Sequence, residues 1–410
     1  MSSAGTQTAT QDLPAFPQPR TCPLDIAPGY RKLLETEPIA KVRMPTGEAV
    51  WLVTKWEYAR QLLVDPRISA DRMHPGYPVL IGFPDRATMQ LTATGSLLGM
   101  DAPEHTTHRR ILVSEFTVRR VRELRPRIQQ IVDNCVDNLL AAGKPADLHE
   151  VFSLEIPSRV VCELIGIPVQ KRDFFKGCTQ VMLNRNSPGP LKKATSDKMM
   201  AFYQDLIMAK EKEPADDIVS RLVDRYRKSG NYDRRMIMGL VALMVTGGHE
   251  TTANMISLST IALLENPGQL ARLREDWSRM PDAVEELLRF FSVASEFTGY
   301  RGALEDIEIG GVTIRAGDGV ITLGSAANWD PEVFERPGEL DIERGARHHT
   351  AFGFGPHQCI GQNLARTEID IAVTTLFSRI PDLQVAVPVE DLPFKHDVGV
   401  YGVHHLPVTW

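Results

Sequence analysis

The chain has 410 residues, 43% hydrophobic and 24% charged, with 46 Lys and Arg against 52 Asp and Glu for a formal net charge of −6. That balance gives no global positive field, which argues against nucleic acid or a membrane as partner, and the length suits one large enzyme core or two to three smaller domains. Five cysteines, Cys22, Cys135, Cys162, Cys178 and Cys359, are never closer than sixteen positions, so zinc knuckles and disulfide staples are not expected and the thiols point to a reducing cytoplasm.

Residues 1–25, rich in Pro, Thr and Gln, read as a loose arm. The first twenty lack an apolar stretch between a basic start and a small-residue cleavage site, so no signal peptide or anchor is expected. The run VRMPTGEAVWLV from Val42 to Val53 predicts two short strands around Thr46-Gly47. Between Ile68 and Met100 periodicity fails, and HPGYPVLIGFP forms an apolar loop of a kind that is often functional. Helical spacing dominates from Ser153 to about Leu264, broken most clearly at NRNSPGP near Asn184. After Arg301 the pattern turns to strands. Gly310-Gly311 between Ile307, Ile309, Val312 and Ile314 suits a two-residue hairpin, and Gln384 to Trp410 also looks extended. With no repeat and no linker, one helix-rich domain over residues 1–410 is expected, mainly α with small strand patches.

From Met236 to Leu264 the only formally charged residue is Glu250. A helix of that length runs about 43 Å and reads as central and buried on all sides. Too short on either side of His249-Glu250 to span a bilayer, it also has poor helix formers at its middle: Thr246, Gly247, Gly248, Thr251 and Thr252. Two readings stand. One is a glycine kink with a satisfied core glutamate; the other is a site where the glycines admit a bulky ligand to the backbone beside an acid and a hydroxyl. A buried carboxylate without a partner is expensive, which favours the site.

The segment Phe352-Gly353-Phe354-Gly355-Pro356-His357-Gln358-Cys359-Ile360-Gly361 sets one cysteine in a glycine-rich loop ahead of an amphipathic helix with Ala365, Ile369, Ala372, Val373, Leu376 and Ile380 on its apolar stripe. A helix N-terminus favours a thiolate, which serves as metal ligand or nucleophile. His357 nearby leaves a Cys/His arrangement open.

These residues resemble the soluble bacterial cytochrome P-450 haem-thiolate monooxygenases. Phe352 to Gly361 fill every specified position of that family's F-G-x-G-x-H-x-C-x-G signature, Gly247 to Thr252 are similar to its oxygen-activating A/G-G-x-D/E-T stretch, and Glu286-Leu287-Leu288-Arg289 to its E-x-x-R pair. Alone, Glu286 and Arg289 would more often be a surface ion pair. The likeness runs from about Val42 to Trp410.

It implies the P-450 fold, a large helix-rich domain with small antiparallel sheets, holding haem b (iron protoporphyrin IX) between the central helix and the Cys359 loop. Cys359 would ligate the iron; Phe352, Gly361, Gly247 and Gly248 would border the cofactor; His105, Arg109, Arg301 and His357 would meet its propionates. Glu250 and Thr251 would relay protons during insertion of one oxygen atom of O2 into a mid-sized hydrophobic molecule. Two positions depart from the family pattern: Glu339, where a basic partner of the E-x-x-R pair often stands, and Trp329 in NWDP.

Electrons would come from a ferredoxin and its reductase. Seven arginines between Arg109 and Arg127 (109, 110, 119, 120, 122, 125 and 127), against Glu115 and Glu123, offer either a docking face for an acidic partner or an ordinary solvated helix face. Candidate substrate contacts are Val79, Leu80, Ile81, Phe83, Met182, Leu183, Leu243, Val293, Ala294, Val400 and Tyr401. The rival readings are a haem-binding sensor or carrier and a peroxide-using enzyme, and the acid-alcohol pair argues against both.

Overall fold

The structure, a computed structural model, describes residues 13–79, 96–296 and 298–410. Its elements in chain order are α1 (Pro28–Thr36), β1 (Ile39–Arg43), β2 (Ala49–Val53), α2 (Trp56–Leu63), β3 (Ile68–Ser69), α3 (Glu104–Val113), α4 (Val118–Ala142) and β4 (Ala146–Asp147). Helices α5 (Glu155–Ile165), α6 (Arg172–Leu183), α7 (Gly189–Lys212), α8 (Ile218–Lys228), α9 (Arg234–Glu265), α10 (Pro267–Glu275) and α11 (Met280–Phe291) follow. Next come β5 (Tyr300–Ala303), β6 (Ile307–Ile309), β7 (Val312–Ile314), β8 (Gly319–Thr322), α12 (Gly324–Ala327), α13 (Gln362–Arg379), β9 (Gln384–Val385) and β10 (Pro407–Thr409).

Helix α9 has 32 residues and begins on Asp233, whose carboxylate accepts the Arg235 N–H and faces the positive end of the helix dipole. Around it pack α5, α7 and α13, closing a large apolar core. The five-stranded sheet has the order β1-β2-β8-β5-β3. All its pairs are antiparallel except β2 with β8, a parallel pair that the expected antiparallel sheets did not include. A smaller apolar cluster, with Ile39, Val53, Leu62, Ile307 and Ile314, lies against this sheet.

Both expected hairpins form. Gly310 and Gly311 have φ of 56° and 80°, the positive values a two-residue turn with matching twist demands at both positions. The tail is less extended than its pattern implied, with short β9 and β10 separated by a helical turn at Val389–Asp391. Nor is the described part of the arm loose: Ala15 bridges Arg43, and the Phe16 ring is buried. Among the described residues no helix is long and apolar enough to cross a membrane.

Candidate active site

The cysteine loop is shaped by backbone contacts. Gly353 and Gly355 take φ of 70° and 71°, and a side chain on Gly355 would stand 2.7 Å from the Leu63 carbonyl at the end of α2, so only glycine lets the loop pass there. The Cys359 N–H donates to the Phe352 carbonyl at 2.8 Å. Helix α13 starts at Gln362 with Gly361 at its cap, so Cys359 lies just ahead of the helix rather than at its first turn. Burial pushes the Cys359 thiol up; the Gly361 N–H and the Arg109 and Arg366 guanidiniums pull it back only in part. The helix terminus alone therefore does not make the thiolate, and a cation at sulfur would. All five cysteines are free, and burial pushes Cys135 and Cys162 up to about 11.

Helix α9 is not buried on all sides, as its sequence implied. Leu243, Thr246, Gly247 and Thr251 form a partly open stripe along an otherwise covered helix. The Thr251 hydroxyl donates to the Gly247 carbonyl at 2.6 Å. The two glycines differ: a Cβ on Gly247 would meet nothing within 4 Å, whereas one on Gly248 would press the Val161 side chain of α5 at 2.9 Å. Gly248 thus lets α9 and α5 pack closely.

Glu250 also departs from expectation, because it does have a partner. Lys395 Nζ donates to Glu250 Oε2 at 2.9 Å and to Asn254 Oδ1 at 3.1 Å, all three side chains being buried. Burial works to raise the carboxyl, but Lys395 and the neighbouring histidines outweigh it and hold Glu250 below the usual range.

Four basic groups converge on the cysteine loop. The His105 ring on α3 lies 4.1 Å from the His357 ring, the Arg109 guanidinium donates to the Gln358 carbonyl, and buried Arg301 on β5 donates to the Tyr300 carbonyl at 2.7 Å. None forms an ion pair with a described carboxylate. His105 Nε2 is buried without a hydrogen-bond partner among the described residues. Burial, then Arg301, His105 and Arg109, push His357 down to about 3. Two guanidiniums and two neutral imidazoles that meet no described carboxylate are a set that an anionic ligand stabilises.

The loop is clamped from beneath. Glu286 and Arg289 are fully buried and pair through two contacts of 2.7 Å, not the surface pair their spacing most often means. Arg344 is the third member, its Nε 3.1 Å from Glu286 Oε1, while Glu339 pairs with Arg336 in solvent. Arg289 Nη1 donates to the Asn328 carbonyl, and Asn328 Oδ1 accepts the Thr350 N–H at 2.7 Å, which ties α11 to the start of the loop. Beside this, Glu285 holds Arg366 at 2.6 Å and His349 at 3.2 Å, and the Arg366 guanidinium lies over the Phe352 ring. Trp329 is a packing residue, its ring tilted against Phe290 and its Nε1 donating to the Phe290 carbonyl.

Arg344, Asn328, Glu285 and Lys395 escaped the sequence reading. Asn328 adjoins the noted Trp329, but the others carried no local signal.

Of the pocket candidates, Leu80, Ile81 and Phe83 lie outside the described residues. Leu243 is on the open stripe of α9, and Val79, Met182 and Ala294 are half-buried. Backbone bonds bring Leu183 to Gly399 and Val293 to Tyr401. Val400 is turned into the core, and the Tyr401 hydroxyl donates to the Pro23 carbonyl at 2.7 Å with Arg20 over its ring. Of the seven arginines, Arg109 turns inward, and Arg120, Arg125 and Arg127 pair with Glu115, Asp370 and Glu163. Arg110, Arg119 and Arg122 remain exposed on α3 and α4 near exposed Val113 and Val118, Arg119 within 3.5 Å of Glu123.

The cytochrome P450 family model matches residues 183–381. Pentalenic acid synthase of Streptomyces avermitilis is 45% identical over 97% of both chains. The chain belongs to the cytochrome P450 family. Vitamin D3 dihydroxylase of Streptomyces griseolus is 42% identical over the full length of both chains, and the crystal structure of cytochrome P450 MoxA from Nonomuraea recticatena superposes with a TM-score of 0.89 at 49% identity, covering 97% of this chain and 98% of that one. This P450 is accordingly a monooxygenase acting on a small molecule, with haem as its cofactor. The site suits that group: a soft sulfur ligand on a fixed loop, and Arg109 and Arg301 beside two imidazoles with no described carboxylate to meet them.

Proposed function

We propose that this P450 uses haem b, takes electrons from a ferredoxin and its reductase, and hydroxylates or epoxidises a mid-sized hydrophobic molecule. The basic cluster beside the Cys359 loop, with its orphaned His105 Nε2, carries the cofactor assignment. Cys359 would hold the iron, and His105, Arg109, Arg301 and His357 the propionates. Bound through a thiolate, haem supplies oxygen activation, the sulfur's electron donation favouring O–O cleavage.

Thr251 stands on the open stripe with a hydroxyl that can both donate and accept, and Glu250, the next residue, offers an acid connected to the buried side. The pair supports proton delivery to that stripe. Gly247 leaves the face free for the reacting groups, and Leu243 gives it an apolar border. The two relatives, by their names a vitamin D3 dihydroxylase and a pentalenic acid synthase, support a small-molecule substrate.

Arg110, Arg119 and Arg122 with Val113 and Val118 support an acidic electron donor on the α3–α4 face. Free cysteines and the absence among described residues of a membrane-length helix support a cytoplasmic location. The test is the absorbance of the reduced, carbon monoxide-bound protein beside Cys359→His. A thiolate band in the parent that is lost in the variant is expected; a histidine-type band in the parent overturns the assignment.

A further inference from the structure

The acid of α9 is held by a residue from the far end of the chain. The segment around Phe394 to Val403 doubles back on itself, with a bridge between those two residues and the Lys395 N–H donating to the Gly402 carbonyl at 2.8 Å. Gly402 is pressed against α9 so closely that a Cβ there would stand 1.9 Å from Asn254 Oδ1. That approach brings Lys395 Nζ to Glu250 Oε2 and Asn254 Oδ1, with His149 Nε2 at 3.5 Å as its third neighbour. Asn254 Nδ2 in turn donates to the Glu250 carbonyl at 2.8 Å and approaches Oε2 at 3.3 Å, and His149 Nδ1 meets Ser257 Oγ at 2.9 Å. One carboxylate oxygen is thus committed, while Oε1 accepts no hydrogen bond from a described residue.

We propose that Lys395 is a positioning residue for proton delivery, fixing the Glu250 carboxylate on the buried side of α9 next to Thr251 and placing it under the control of the C-terminal hairpin. This rests on Glu250 and Thr251 forming the proton path. The same hairpin reaches the connection between α6 and α7, where Asp397 Oδ2 accepts from Asn184 Nδ2 at 2.9 Å and the Asp397 carbonyl from the Arg185 N–H at 2.7 Å. A change at that connection is therefore transmitted to the acid through one short segment.

The charge environment agrees with the geometry. Glu250 faces Lys395 from the hairpin, His149 from the turn after β4 and His249 from its own helix, with Lys176, Asp147 and His405 farther out. Burial, then Lys395, pushes His149 down to about 3, and burial brings His249 to about 4, so both are neutral near pH 7. Lys395 is then the cation that matters to Glu250.

The test uses haem-loaded protein carrying Lys395→Met, Lys395→Arg, Glu250→Gln and the Met/Gln double substitution, with two readouts. One is product formed per electron consumed as a function of pH. The other is the infrared carboxyl band of Glu250, assigned by its loss in Glu250→Gln, which reads ionisation without turnover. In Lys395→Met the protonated band should appear at a higher pH than in the parent, and the acid limb of the profile should move up with it by about one unit or more. Lys395→Arg should restore both, and the double variant should couple no worse than Glu250→Gln alone.

An unmoved band and profile in Lys395→Met would overturn the proposal, even if that variant melts lower, and so would additive losses in the double variant. If Lys395→Met does not fold, Lys395→Gln, which keeps a donor without charge, gives the same two readings. Coupling indifferent to Glu250→Gln, with the band still moving in Lys395→Met, would instead remove the underlying proton path.

Discussion

Arg344 Nε lies 3.1 Å from Glu286 Oε1 and 3.2 Å from Oε2, so one fully buried carboxylate holds both Arg289 and Arg344. Such a group is insensitive to exchange as a whole and very sensitive to the loss of one member, which strands a charge away from water. Arg344→Ala or Glu286→Gln should therefore destabilise the protein by about 3–5 kcal/mol and reduce the yield of haem-loaded protein. Chemical denaturation and the haem-to-protein absorbance ratio check this; a loss under about 1 kcal/mol would mean the network is not structural.

Thr251 is half-open, and among the described residues its hydroxyl bonds only to its own helix. Thr251→Ala should leave stability within about 1 kcal/mol while product per electron falls on the order of tenfold and peroxide release rises. Peroxide and product are measured in the same reaction, and unchanged coupling would end the hydroxyl's assigned part.

Glu285 gives the fold a defined acid limb. Burial alone would raise its carboxyl, but His349 and Arg366 outweigh burial and bring it from 4.5 down to about 2. A depressed carboxylate stabilises the folded state above its unfolded value, and that contribution drains away as pH falls through the folded one. Glu285→Gln should be less stable at neutral pH and show a flatter decline between about pH 4.5 and 2, measured as unfolding midpoint against pH.

Arg110 and Arg122, exposed and without an ion-pair partner among the described residues, make a testable docking face with Arg119 beside them. Turnover with an acidic ferredoxin should fall steeply as ionic strength rises, and Arg110→Glu with Arg122→Glu should lower it at low salt while leaving the substrate-induced spectral change intact. A flat salt response would show that the electrostatic face plays no part.

Local patterns carried much of this architecture. The Gly310-Gly311 turn, the cysteine loop and the long central helix each depend on neighbours within a few positions, so composition and spacing revealed them. What stayed hidden was long-range. Lys395 meets Glu250 across 145 positions and Arg344 meets Glu286 across 58, and neither lysine nor arginine announces its partner. For the same reason the burial of α9 was overstated: apolar character marks a helix as hidden from water but not which stripe is covered by protein and which borders a ligand. Gly248 illustrates the limit, since a glycine required by Val161 reads the same as one required by a cofactor.

The open stripe of α9 also divides the helix between two kinds of selection. Leu240, Ile256 and Leu258 are fully enclosed and answer to folding, whereas under the proposed function Leu243 and Thr246 would answer to whatever molecule is admitted. Substrate preference can therefore drift by exchange at a few positions of one helix while its load on stability stays constant. A lineage built on this scaffold is free to diversify its chemistry of recognition without renegotiating its fold.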